Sequence, residues 1–386
     1  MNACALVFTQ IFIKVSGYGA RDMLDSGALV VDSVSHCFNH TPENHKHPHA
    51  QRWDDETFQL GEKLLPDGYV PSEEVFYRDH QPEELARLLF LESQIDYSVY
   101  HSLPLDDYFH DGYVSREKGF EFMEQNPERV SMYVDINPLE DDAGDQIEEY
   151  AARDGVEGIK FYPARYQNGN DLSLRLTENS VWPLLERIAD SEVDTLAIHK
   201  FIPFATAPVR YFQPGDVEDA ANSFPDLNFE IIHAGFSFVE ETVLAMASHD
   251  NVYANLENTA CLVNTRPKKF ARALGEMLYW AGPDRIVYAG GATALHPQPP
   301  IRGIWNFEMP EELVEGEDYP EVTKEDKEKI LGGNALRLLD KDPEQVKKDI
   351  EGDRWDELRT EREETGEFPA APWSTYGTDT ATPADD

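Results

Sequence analysis

A (β/α)8 barrel, an α/β fold, is the architecture this sequence predicts. Three observations predict it: eight short apolar runs along the chain, amphipathic stretches between them, and histidines at the ends of several runs. The runs are Ala28 to His36, Ile95 to Ser102, Ser131 to Pro138, Gly158 to Ala164, Thr195 to Phe201, Phe229 to Gly235, Asn251 to Glu257 and Arg285 to Gly291. Most are near-continuously apolar, as parallel strands buried on both faces must be.

The outer helices are read from helical spacing of apolar residues at Pro82 to Ser93, Glu117 to Gln125, Gln146 to Arg153, Val181 to Asp190 and Val239 to Ser248. A further helix, Pro267 to Ala281, opens with proline at a first-turn position, where a missing N–H costs nothing. Two long stretches break the rhythm, His40 to Gln81 after the first strand and Pro297 to Val322 after the last. Both leave the carboxyl face of the barrel, where such insertions shape substrate access.

Three regions follow: an N-terminal extension (1–27), the barrel (28–340), and an acidic helix with a polar tail (341–386). The tail PAAPWSTYGTDTATPADD carries too few apolar residues to be expected to pack. Near the start, ACALVFTQIFI is broken by Thr9 and Gln10 and has no positive charge before it, so it does not read as a signal peptide. Met23, just before the first strand, is an alternative start.

The formal net charge is -41, from 74 acidic and 33 basic residues spread over the whole length, against 41% hydrophobic content. The apolar content is enough for a core, and the charge repels phosphate backbones and anionic lipid. Nucleic-acid and membrane partners are therefore excluded, leaving a small-molecule substrate and room for a homo-oligomer. Surface acidity on this scale points to a halophilic source. The three cysteines, Cys4, Cys37 and Cys261, are too scattered for a disulfide framework or a metal knuckle, which suits a reducing cytoplasm. Nucleophile-elbow, dinucleotide-binding and P-loop motifs are absent from the sequence.

Catalytic side chains in this architecture project from strand tips into one cavity. His36, His199 and His233 each end a different apolar run. Lys160 and Tyr162 share a face of the fourth run, and Glu257 points toward the mouth from the seventh. Arg165 and Arg210, in loops after the fourth and fifth runs, are candidates to clamp a carboxylate, which a guanidinium binds bidentately.

The segments AIH, IIHAG, GIKFYPA and ILGGNALRLL resemble the amidohydrolase-related (amidohydrolase 2) family of the metal-dependent hydrolase superfamily, over about Leu29 to Leu339. The resemblance implies a TIM barrel that hydrolyses or decarboxylates a small carboxylate or carbonyl compound, with zinc or manganese as cofactor. In the family pattern a first-strand His-x-His pair, a fifth-strand histidine and an eighth-strand aspartate hold the metal, while the sixth-strand histidine moves protons. Carried over, His36 and His199 become ligands and His233 the proton carrier.

This sequence departs from the pattern twice. Val34 stands at the first histidine of the pair and Gly291 at the aspartate, and neither side chain offers a lone pair. His296, five residues past Gly291, is the candidate replacement ligand; Asp32, Glu257 and the loop histidines His40, His45, His47 and His49 are further ones. Glu257 is otherwise a catalytic partner for a histidine. Without a metal, the same histidines act as acid and base on protons alone; the alternative is a catalytically degraded barrel serving as a binding protein.

Overall fold

The computed structural model describes residues 26–167, 170–200, 202–203 and 207–376; the opening apolar segment and Met23 lie outside them. Eight parallel strands run in sequential order around one sheet. They are β1 (Val31–Ser35), β2 (Tyr97–His101), β3 (Val130–Asp135), β4 (Val156–Phe161), β5 (Thr195–His199), β6 (Asn228–Ile232), β7 (Val252–Asn255) and β8 (Ile286–Val287). Each coincides with, or overlaps, one of the eight apolar runs. Helices alternate with them, and those at Val239–Ser248 and Pro267–Ala281 have the bounds expected from the sequence. The fold is a (β/α)8 TIM barrel.

Closure between the last and first strands is made by backbone bonds beyond the short β8. Ser33 N–H donates to the Tyr288 carbonyl (3.2 Å), and Gly291 N–H donates to the Val34 carbonyl (3.1 Å). Asp32 reinforces the seam, its Oδ1 accepting from Gly290 N–H at 2.7 Å. A short antiparallel hairpin, Ala164–Gln167 with Asn170–Ser173, follows β4 and was not apparent in the eight-run reading.

The sequence Ile330–Leu339 has a packing reason. A methyl group on Gly332 would lie 2.0 Å from the Leu29 carbonyl oxygen, so only glycine lets this turn rest against the entry to β1. Asn334 Nδ2 donates to the carbonyls of Pro283 (2.7 Å) and Ile286 (2.8 Å), tying the same turn to the entry of β8. Gly332→Ala is therefore expected to destabilise the barrel by about 1–3 kcal/mol, the usual cost of forcing a backbone shift. Chemical denaturation measures it, and an unchanged midpoint would contradict the packing.

The acidic C-terminal stretch closes the amino end of the barrel. Val346 and Ile350 pack on Leu29, Val31 and Tyr97. Arg129, buried, is paired with Asp353, and Arg359 donates to Asp96 at 2.7 Å.

The tail differs from expectation as far as residue 376. Trp373 N–H and Thr375 N–H donate to the two oxygens of Glu92 at 2.6 and 2.7 Å, and Trp373 Nε1–H donates to the Tyr69 carbonyl at 2.9 Å. Two aromatic rings and a buried carboxylate acceptor outweigh the tail's polar composition here. Residues 377–386 lie outside those described.

Candidate active site

Five strands deliver side chains, and a sixth a glycine, to one cavity at the carboxyl end of the barrel. It is lined on its floor by His36, Lys160, His199, His233, Glu257 and Gly291. A register irregularity between Asp32 and Ser35 interrupts strict alternation in β1: Asp32 turns to the seam with β8, Val34 packs in the cluster that includes Val31 and Tyr97, and His36 lines the cavity one step beyond the strand. The loop after β1, with its helix Ala50–Leu64, supplies the opposite wall through Phe38, Trp53, Thr57 and Leu60.

Hydrogen bonds settle which ring nitrogens carry protons. His36 Nδ1–H donates to the His101 carbonyl at 2.7 Å, leaving the Nε2 lone pair toward Glu257 Oε1, 3.6 Å away. His199 Nε2–H donates to the Ile202 carbonyl at 2.7 Å, so its Nδ1 accepts from His233 Nε2–H at 3.1 Å. The remaining nitrogen of His233, Nδ1, lies 3.5 Å from Glu257 Oε2 and 3.1 Å from Asn258 Nδ2. One carboxylate thus stands between two imidazoles.

Burial sets the charges. It pushes His36 and His233 below the ordinary imidazole value, and His199 well below it with His233 adding to the effect. Burial works to raise Glu257, but His233, His36 and Lys160 together hold it down to about 2. The Glu257 carboxylate is ionised at neutral pH.

Backbone strain concentrates at this floor. His233 and Asn258 take φ of 64° and 61°, left-handed values that non-glycine residues adopt at a cost. Gly291, at φ 69°, has a second constraint: a Cβ there would lie 3.2 Å from Glu257 Oε1. The carboxylate from β7 therefore fills the space in front of the eighth strand, where the family pattern would have its aspartate.

Lys160 and Tyr162 reach the same cavity from the end of β4. Lys160 is only 1% exposed and makes no hydrogen bond or ion pair among the described residues. Burial lowers its pKa, and Glu257, Asp135 and Glu230 push it back up. The Tyr162 hydroxyl is likewise buried without a partner, its ring 4.2 Å from that of His199.

Other candidates are placed elsewhere. His296 is buried with Nε2 3.3 Å from Glu92 Oε2, edge-on to Tyr69 and Trp373, and does not line the cavity. Its neighbour Leu295 takes the wall position, and the chain then turns His296 toward the packed tail. Arg165 is buried but committed to Asp135 Oδ1 at 2.8 Å and to the Ile136 carbonyl. Arg210 is exposed on a short turn, its guanidinium 4.6 Å from the Tyr211 ring.

Asp32 faces the seam, and burial raises it to about 7. His40 and His45 grip Asp54 at 2.8 and 2.6 Å, which anchors the wall helix rather than offering ligands to the floor. The rings of His47 and His49 lie 4.9 Å apart, tilted to each other, beside that helix. His101, not marked from the sequence, ends β2 with both ring nitrogens buried and without a hydrogen-bond partner among the described residues; its position at the end of SVYH is the signal that could have marked it. The apolar wall residues carried no sequence signal beyond lying in the loop insertions.

The donors available to a divalent ion are few. Among the described residues, no group of three or more His, Cys, Asp or Glu is arranged to hold one. His36 Nε2 and Glu257 offer lone pairs, but the free nitrogen of His199 is taken by His233, and Val34 and Gly291 offer none. Protein zinc sites use three or four ligands. The donor set does not fit the metal that the family pattern implies.

An eight-stranded parallel barrel with histidines and a carboxylate converging at its carboxyl end defines a TIM-barrel enzyme. The amidohydrolase family matches residues 113–341, more than half of the chain, and the chain belongs to that family. No curated protein matches it.

Solved structures share the fold at low identity. An uncharacterised TIM-barrel protein of Bordetella bronchiseptica is 17% identical with a TM-score of 0.56, covering 81% of this chain and 98% of that one. The 5-carboxyvanillate decarboxylase of Novosphingobium aromaticivorans, solved with manganese and 4-hydroxy-3-methoxy-5-nitrobenzoic acid, is 14% identical with a TM-score of 0.53, covering 82% and 97%. An amidohydrolase of Burkholderia multivorans with bound zinc is 13% identical with a TM-score of 0.50, covering 82% and 100%.

Proposed function

We propose that this chain catalyses proton transfer on a small carboxylate or carbonyl compound, by decarboxylation or hydrolysis, with His233 as the group that carries the proton. The observation that supports this reading is the position of Glu257, 3.6 Å from His36 and 3.5 Å from His233. Beside it, Lys160 and Tyr162 hold a cation and a hydroxyl that no described protein group satisfies.

Each residue then has a task. Lys160 and Tyr162 receive the anionic oxygen of the substrate, a charge-assisted contact in a buried setting. Glu257 steadies the imidazolium form of His233 when it appears and leaves His36 aimed at the substrate. In decarboxylation, protonated His233 delivers its proton to the carbon that loses carbon dioxide. In hydrolysis, neutral His233 takes a proton from the water that attacks the carbonyl carbon and returns it to the leaving oxygen as the bond from that carbon breaks. Zinc or manganese, which relatives carry, enters neither step because the donors fall short.

The apolar wall of Phe38, Trp53, Leu60, Leu103, Tyr113 and Leu295 favours the first branch. A carboxylate pressed against such a wall loses hydration that it no longer needs once its charge spreads in the transition state. The scattered acidity supports work at high salt in the cytoplasm. Among the described residues, no helix is long and apolar enough to cross a membrane.

The test is a panel of small aryl and aliphatic carboxylates, esters and lactones, with carbon dioxide and acid release both followed in the presence of a chelator. Turnover with carbon dioxide release is the expected result. Acid release alone moves the reaction to hydrolysis, and no turnover of any member removes the reading.

A further inference from the structure

The geometry points to Lys160 as the resident cation of this site, its buried ammonium supplying the positive charge that a divalent ion supplies in the manganese- and zinc-bearing relatives. The inference rests on the reading of this cavity as a proton-transfer site. It starts from a mismatch. Two of the family's ligand positions are Val34 and Gly291, yet the cavity still holds an ionised carboxylate and is ringed by imidazoles.

Charge balance identifies what takes the ion's place. Asp135 is paired with Arg165 at 2.8 Å, and Glu230 accepts from Asn255 Nδ2 at 2.6 Å. Glu257 is then the anion left facing the cavity, and Lys160 the cation left to answer it. Lys160 lines the same cavity as His36, His199 and His233, and its charge favours the neutral form of each ring.

The ammonium makes no direct ion pair or hydrogen bond among the described residues, so its donors are open to an incoming anion. A divalent ion in the same pocket would meet like charge at close range, with few donors to offset it. The ligand chemistry that follows is a carboxylate or enolate oxygen held by Lys160 and the Tyr162 hydroxyl.

The experiment uses the full-length protein, stripped with chelator and titrated by calorimetry with zinc, with manganese and with benzoate as a simple carboxylate probe. Wild type is expected to take up neither metal stoichiometrically and to bind benzoate. Lys160→Met is expected to weaken benzoate by about tenfold or more and to bind zinc more tightly than wild type, whereas Lys160→Arg keeps most of the benzoate affinity.

Uptake of about one zinc or manganese per wild-type chain, abolished by His36→Ala, overturns the inference. If Lys160→Met does not fold, the wild-type metal stoichiometry and the arginine variant decide it. A metal-free protein that binds benzoate but turns nothing over would end the enzymatic reading and leave this one standing. Zinc-dependent turnover that chelator abolishes would overturn both.

Discussion

Replacing His233 by asparagine is expected to lower turnover by about 10²–10⁴-fold, the range associated with losing a positioned acid–base group. Asparagine is the informative substitute because the position has φ 64°, a region that asparagine tolerates better than most residues. The backbone and the neighbouring Asn258 should therefore stay in place, and circular dichroism would confirm folding.

The pH profile separates chemistry from structure. Burial lowers the pKa of His233, so a reaction needing its neutral form keeps its rate as pH falls below the ordinary imidazole value and loses it only below the folded one. A reaction needing the imidazolium loses rate as pH rises through that same lowered value. Unchanged turnover in the variant would refute the assignment of His233.

Glu257→Gln is the second large effect, because it deletes the charge between two imidazoles while keeping the side chain's shape. Turnover should fall by at least about 10²-fold. Stability should fall as well, with a sign that can be checked. The folded pKa of about 2 lies below the ordinary value of 4.5. The stabilisation is therefore fully present above the unfolded value and is lost as pH drops through the folded one. Denaturation of both proteins should show a gap that is constant near neutrality and narrows as pH falls below about 4. A gap that does not depend on pH would mean that Glu257 acts through packing and not through its charge.

The floor of the site was legible wherever strand periodicity alone places a residue. His36, Lys160, His199, His233 and Glu257 follow from the end of an apolar run and the inward face of a strand, and all five line the cavity. His101 sits equally at the tip of β2, but a single histidine after a tyrosine carries little signal of its own. His296, Arg165 and Arg210 were chosen by proximity in sequence to a strand end. Loop residues carry no such periodicity, and the structure gives each a different neighbour: Glu92, Asp135 and Tyr211.

The sequence by itself determined the barrel and the side chains at its strand tips. Those features are local: a run of apolar residues makes a buried strand, and alternation sets which side chains face inward. Only the tertiary structure decided what those side chains do to one another. That Glu257 stands between His36 and His233, that it fills the space left by Gly291, and that Lys160 makes no hydrogen bond or ion pair among the described residues all depend on distances across the barrel between residues far apart in the chain. The tail shows the same limit from the other side: its polar composition argues against packing, and a buried Glu92, more than two hundred residues earlier in the chain, supplies the acceptors that hold Trp373 and Thr375 in place.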